Sequence, residues 1–258
     1  MGTSREPFAD GAEARPAGAP PARVRGSVGT GGRLAFAILL AGAALALAVH
    51  SPLFCARTIH VAGTAHLSRA QVLAGAAVGA STNVFFADAS AIERRLETDP
   101  WIERATIAKE WPSTLSIAIV ERAPVVAVRD GPSFRLLAGD GTDLGRAEDR
   151  GALPVARASD RSVRPAAAAA AAVAALSGTA RAEVASVVTL PGGELSLRLR
   201  TGARISLGPP RELKAKGKAV AALMRWSDRA GTALERADVS VPTSPTATLQ
   251  RRHGSGSG

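Results

Sequence analysis

Residues able to do chemistry are sparse in this chain of 258 amino acids. It holds four histidines and one cysteine. His60 and His66 lie close enough in sequence to suggest metal ligation, but no carboxylate or thiolate accompanies them, and they read as surface side chains. Cys55 is alone and builds no disulfide framework. It follows an apolar run, as a lipidated cysteine would, yet bulky Phe54 stands where such a site wants a small residue. Gly208-Pro209-Pro210 ahead of a helix offers an N-terminus for a phosphate, without the glycine-rich loop that would cradle one. No G-x-S-x-G, H-E-x-x-H, C-x-x-C or Walker sequence occurs, and no spacing links Ser, His and Asp. The chain therefore shows no catalytic, cofactor-binding or metal site, and its side chains are suited to contact.

Positioning begins with a membrane-grade segment. Leu34–Val49 is sixteen uncharged residues, a helix of about 24 Å against a hydrocarbon core of about 30 Å. The span is expected over 33–54, with Leu53 and Phe54 at one interface. A cleaved signal peptide is the rival, since Ala46-Leu47-Ala48 resembles a processing site. The preceding tail of more than thirty residues argues for a retained anchor. Arg23, Arg25 and Arg33 precede the span and Arg57 follows it, which places the N-terminus in the cytoplasm and residues 56–258 outside. Residues 1–32, rich in Ala, Gly, Pro and Arg, are expected as a disordered cytoplasmic tail, and 244–258 as a flexible C-terminal one.

The formal charge of +10 rests on arginine, with only four lysines among the 32 basic residues. The arginines are scattered, often beside acids (Glu103-Arg104, Glu121-Arg122), and no aromatics interleave with them on one face. A nucleic-acid surface is not indicated. The basic surplus over 161–229 would suit anionic lipid or an acidic partner.

Two modules follow the span. Arg57–Val61 alternates as a strand and ends at Ala62-Gly63, where a turn wants positive φ at Gly63. Ser68 with Gln71, and Ser90 with Glu93, are capping-box patterns that open two short helices. Asp99-Pro100 stops the second helix. Strands follow at about 103–109 and 114–122, the latter alternating through Leu115, Ile117 and Ile119. This β-α-α-β-β order over 56–124 is a compact α+β unit, with Trp101 and Trp111 read as core residues. Over 125–243 the pattern is a mixed β-sheet domain with flanking helices. It has an alanine-rich helix after Pro165, capped at Ser177-Gly178, and strands around 183–190, 193–200 and 203–207. A helix spans 211–226, and Asp238-Val239-Ser240-Val241-Pro242 is the closing strand.

Taken together, Ile59-His-Val-Ala-Gly63, Asn83-Val-Phe85, Leu96, Pro100-Trp-Ile102, Ala105, Trp111-Pro112 and Val120-Glu-Arg-Ala-Pro124 resemble the POTRA domain of the bacterial FtsQ/DivIB division-protein family. Leu207-Gly208, Lys214 or Lys218, and Asp238–Pro242 resemble that family's β domain. The resemblance covers about residues 33–243. It implies a non-catalytic divisome scaffold, a single-pass protein of the cytoplasmic membrane enriched at the septum. The implied partners are membrane-anchored division proteins of the FtsB/DivIC and FtsL type, and septal wall synthesis would be under its indirect control. Two alternatives stand beside it. A POTRA-bearing assembly factor for exported proteins would need a following β-barrel, and an anchored wall hydrolase would need paired carboxylates. The partner-binding residues expected are Asp238, Val239, Ser240, Val241 and Pro242 as an unpaired edge, with Trp226 from the preceding helix. The competing reading is that this strand only completes the sheet and is covered by the residues after it.

Overall fold

The computed structural model describes Gly2, residues 30–158 and residues 163–250, so the N-terminal tail and the last eight residues lie outside the described residues. The chain divides into two units, with the boundary between His50 and Ser51.

The first unit is helix α1, Thr30–Val49. At 20 residues it is about 30 Å long, the thickness of a hydrocarbon core. The helix takes in Thr30 to Arg33 ahead of the sixteen uncharged residues and ends before Leu53 and Phe54. Those two belong to a single 3-10 turn, Pro52–Phe54, which the Ser51 hydroxyl caps.

The second unit opens with the small module. Strand β1 (Thr58–Ala62) is followed by helices α2 (Arg69–Ala76) and α3 (Ala89–Leu96), then by β2 (Ile102–Glu110) and β3 (Thr114–Glu121). The sheet order is β1-β3-β2, with β1 parallel and β2 antiparallel to β3. Alternation sets the core. Leu115, Ile117 and Ile119 are buried on one face of β3, against Val72 of α2 and Ile92 and Leu96 of α3. Ser68 and Gln71 form the expected reciprocal capping box. The second helix starts earlier than the Ser90 pattern implies, because Asp88 accepts the Ala91 N–H at 3.0 Å and is its true cap. Gly63 has φ +85°, and a Cβ there would lie 2.0 Å from the Ile119 carbonyl oxygen, so no other residue fits the turn.

The larger module is one open sheet of nine strands. They are β4 (Pro124–Asp130), β5 (Ser133–Ala138), β6 (Asp143–Ala147), β7 (Val155–Ala158), β8 (Val184–Thr189), β9 (Leu195–Leu199), β10 (Arg204–Gly208), β11 (Ala233–Asp238) and β12 (Thr246–Gln250). Their spatial order is β12-β11-β10-β9-β8-β7-β4-β5-β6. Leu195, Leu197 and Leu199 are buried while Arg198 between them is exposed. Helices α4 (Val163–Ala174), α5 (Gly178–Ala182) and α6 (Leu213–Ala230) share the core formed by the buried face.

Here the sequence pattern and the structure part in four places. Ser177 caps the start of α5, accepting the Ala180 N–H, and does not terminate the alanine helix. Asp143–Ala147, where the sequence pattern marks no strand, forms β6. The strand expected at Asp238–Val241 is instead Ala233–Asp238. Finally, the segment expected as a flexible tail contains β12. The alanine run has a packing use: Ala166, Ala169, Ala170 and Ala172 are buried, and helices this thin approach closely. A Cβ added to Gly217 of α6 would fall 2.2 Å from the Ala175 carbonyl oxygen.

Candidate partner-docking site

The C-terminal end of the sheet is built from β10 outward. β10 and β11 run parallel, and the pairing continues past β11, where the Val239 N–H donates to the Ser206 carbonyl at 2.9 Å. Val239 is fully buried. The Asp238 carboxylate accepts the Ser240 N–H at 2.8 Å, a local bond that turns the chain out of the strand. Bonds from the Ser240 hydroxyl and N–H hold the Asp238 carboxyl below the usual aspartate range against partial burial, with a contribution from the Lys216 charge. Gly208, at φ +63°, lies so close that an added Cβ would stand 2.9 Å from the Ser240 Cβ. The Leu207-Gly208 and Asp238–Pro242 landmarks are thus two halves of one contact.

The residues expected as a free edge are therefore not one. Beyond Ser240 the chain turns, with the Ser244 N–H donating to the Val241 carbonyl at 3.1 Å. It returns as β12, antiparallel to β11. The registers are Asp238 with Thr246, Ala237 with Ala247 and Arg236 with Thr248. The strand is covered by the residues after it, and the outermost row of the sheet passes to Thr246–Gln250. Of the five strand-end residues, Asp238 and Val241 are exposed, Ser240 and Pro242 half-buried and Val239 buried; Trp226 is exposed on α6.

Sequence reasoning missed β12. Its signal was present in Thr246 and Thr248, β-branched residues after a proline, with Leu249 packing onto the core. It also missed which lysine matters. Lys216, not Lys214 or Lys218, is buried, and its Nζ donates to the Pro209 carbonyl at 2.8 Å. At the helix N-terminus weighed for a phosphate, Glu212, an acid, stands at the N-cap position of α6 without a side-chain cap bond.

The two edges of the large sheet differ in chemistry. At β6, Arg146 pairs with Asp130 at 2.8 Å, and Arg135 pairs with Asp143 at 2.6 Å. β12, Thr-Ala-Thr-Leu-Gln, carries no charge. Charged side chains discourage strand addition at an edge, and a neutral row leaves its N–H and C=O groups available.

Elsewhere, a pocket of about 340 Å³ lies beside α2 and α3, lined by Leu67, Gln71, Val72, Arg95, Leu96 and Asp99 among others. Its charged groups are engaged locally, with Arg95 donating to the Ala76 carbonyl and Asp99 accepting the Trp101 N–H. The His66 ring stacks on Trp101 with centroids 3.6 Å apart. Among the described residues no group of three His, Cys, Asp or Glu is placed to hold a metal.

Residues 54–122 match the family model described as a POTRA domain, FtsQ-type. The chain is 32% identical over 220 residues to the cell division protein FtsQ of Mycolicibacterium smegmatis, across 83% of this chain and 64% of that protein. It thus spans less than two thirds of that relative. It is 28% identical to FtsQ of Streptomyces collinus over 252 residues, 90% of this chain and 93% of that protein. It is also 28% identical to FtsQ of Myxococcus fulvus over 220 residues, 75% of this chain and 77% of that protein.

Proposed function

Because the chain belongs to the FtsQ/DivIB family of cell division proteins, we propose that it is a membrane-anchored, non-catalytic scaffold of the division machinery. In this reading α1 is the single span, with the N-terminus in the cytoplasm because Arg23, Arg25 and Arg33 precede it. Both modules then stand outside the membrane and the protein gathers at the septum. It holds membrane-anchored division proteins of the FtsB/DivIC and FtsL type and regulates septal wall synthesis through them.

The observation that supports docking is the uncharged outer edge of β12, opposite the ion-paired edge at β6. A partner segment adds as a further strand there, gaining main-chain hydrogen bonds. Asp238, Val239, Ser240, Val241 and Pro242 set where that edge lies by ending β11 and turning the chain into β12. Exposed Val241 and Trp226 offer apolar contacts. The assembly-factor alternative is not favoured, since the second module is an open sheet with helices in its core rather than a barrel.

The test is proline substitution in β12. Successive N–H groups along a strand point to opposite sides, so one of Ala247→Pro and Thr248→Pro removes an outward donor and the other an inward one. The outward variant should keep the wild-type melting temperature and lose co-purification of the FtsB-type partner. Full retention of the partner by both variants would place docking elsewhere.

A further inference from the structure

Five residues after α1 ends, the chain enters an aromatic cluster that the scaffold role leaves unexplained. The Phe54 ring packs edge-on against Phe85 at 6.0 Å and Trp111 at 6.1 Å between centroids. Phe85 also meets Trp111 at 5.0 Å and Phe86 at 5.1 Å. The backbone fixes this group. The Val84 N–H donates to the Phe54 carbonyl and the Ala56 N–H to the Thr82 carbonyl, both at 2.8 Å. The Phe85 N–H is held by the Asn83 side chain at 2.9 Å. Arg57 donates its N–H to the Ser113 carbonyl at 2.9 Å, which draws the Trp111 turn to the same place.

This cluster is not core. Trp111, expected as a core residue, is 54% exposed, Phe86 53%, Phe85 42% and neighbouring Leu53 59%. The first module has only one other large exposed hydrophobe among the described residues, Val120. A soluble module gains nothing by fixing three aromatic rings outward in one patch, with exposed Leu53 next in the chain to Phe54. Cations border them: Lys109 Nζ donates to the Phe85 carbonyl at 3.3 Å, and Arg57 is exposed. Aromatic rings flanked by Lys and Arg are the composition of a membrane–water interface.

The tether selects the occupant. From Val49 to Phe54 the chain reaches at most about 18 Å, so the cluster stays within reach of the leaflet where α1 emerges. We propose that Leu53, Phe85, Phe86 and Trp111 form a lipid seat that inserts at the headgroup boundary of that leaflet and restrains the first module against the bilayer. The proposal rests on the reading of α1 as a membrane span.

The full chain in nanodiscs tests it by tryptophan quenching with brominated acyl chains. Three proteins are compared: wild type, Trp111→Phe, and Trp111→Phe with Leu40→Trp as a reporter inside α1. The seat predicts quenching of wild type, its loss in Trp111→Phe, and its return in the double variant. If the Leu40→Trp reporter is quenched and wild type is not, the anchor stands and the seat is overturned. Equal quenching of wild type and Trp111→Phe overturns it too, since Trp101 or Trp226 would then be the lipid contact. An unquenched reporter at position 40 removes both the anchor and the seat.

Discussion

Arg122 Nε donates to the Asp140 carboxylate at 2.9 Å, joining the chain just past β3 to the turn between β5 and β6. The same guanidinium donates to the carbonyls of Pro100 and Ile102 at 3.0 and 2.6 Å. One arginine thus closes the end of the small module and braces it on the large one. Its neighbour Glu121 points elsewhere, accepting the N–H groups of Ala65, His66 and Leu67 at 3.0, 2.7 and 2.9 Å.

Arg122→Ala should destabilise the second unit by about 2–3 kcal/mol, since it strips charged hydrogen bonds from the part-buried Ile102 carbonyl and from the exposed Pro100 carbonyl. Asp140→Asn should cost less than about 1 kcal/mol, because that carboxylate is half exposed. Denaturant unfolding of the two variants measures both. Equal losses would make the Asp140 pair, and not the carbonyl bonds, the brace.

Acid should weaken the second unit through Glu121. Partial burial opposes ionisation there, but the N–H groups of His66, Leu67 and Ala65 outweigh it and hold the carboxyl below the usual glutamate range. The Asp140 carboxyl is likewise low: partial burial is outweighed by bonds from Thr142 and Arg122. A depressed folded value means the stabilisation is complete above the unfolded value, near about 4, and is lost as pH falls through the lower folded one. Melting temperature should be flat above that region and fall below it. Glu121→Gln should lower the plateau and flatten the acid limb; an unchanged acid limb would remove Glu121 from the titration.

Core truncations should rank by burial. Leu115→Ala, at a fully buried site, should cost about 2–5 kcal/mol. Trp101→Ala should cost less, since the ring is half-buried and stacked on His66. Trp111→Ala should barely change stability. A large loss at Trp111 would make the exposed cluster a folding element.

Gly63→Ala should destabilise the first module by at least about 1–3 kcal/mol, through strain at positive φ and the clash with the Ile119 carbonyl. Thermal melts of the variant check this, and a wild-type midpoint would contradict the turn geometry.

How far the fold is legible in the sequence differs along the chain. The small module is readable because its signals are local: alternation in β3, the Ser68 box and Asp99-Pro100. Glu121 and Arg122 looked like a solvated pair because adjacent opposite charges suggest each other. Their true partners lie 54–56 and 18–22 residues away, distances no local pattern encodes. The outer edge of the sheet lies one strand beyond the Asp238–Pro242 reading for a similar reason. Asp238-Val-Ser-Val looks like a strand by composition, but Asp238 and Ser240 spend their polarity on a turn. β11 itself, Ala-Leu-Glu-Arg-Ala-Asp, has weak β character and is held by its neighbours on both sides. Trp111 looked like core because large rings in small domains usually are, and its exposure follows from tertiary placement beside Phe54 and Phe85.

Hydrogen exchange of the full chain in nanodiscs, with and without an FtsB-type partner, tests the docking edge most directly. Added-strand docking predicts slowed exchange at Thr246–Gln250 when the partner binds, with Asp143–Ala147 at the ion-paired edge unchanged. Protection that leaves Thr246–Gln250 untouched while the partner is bound would contradict it.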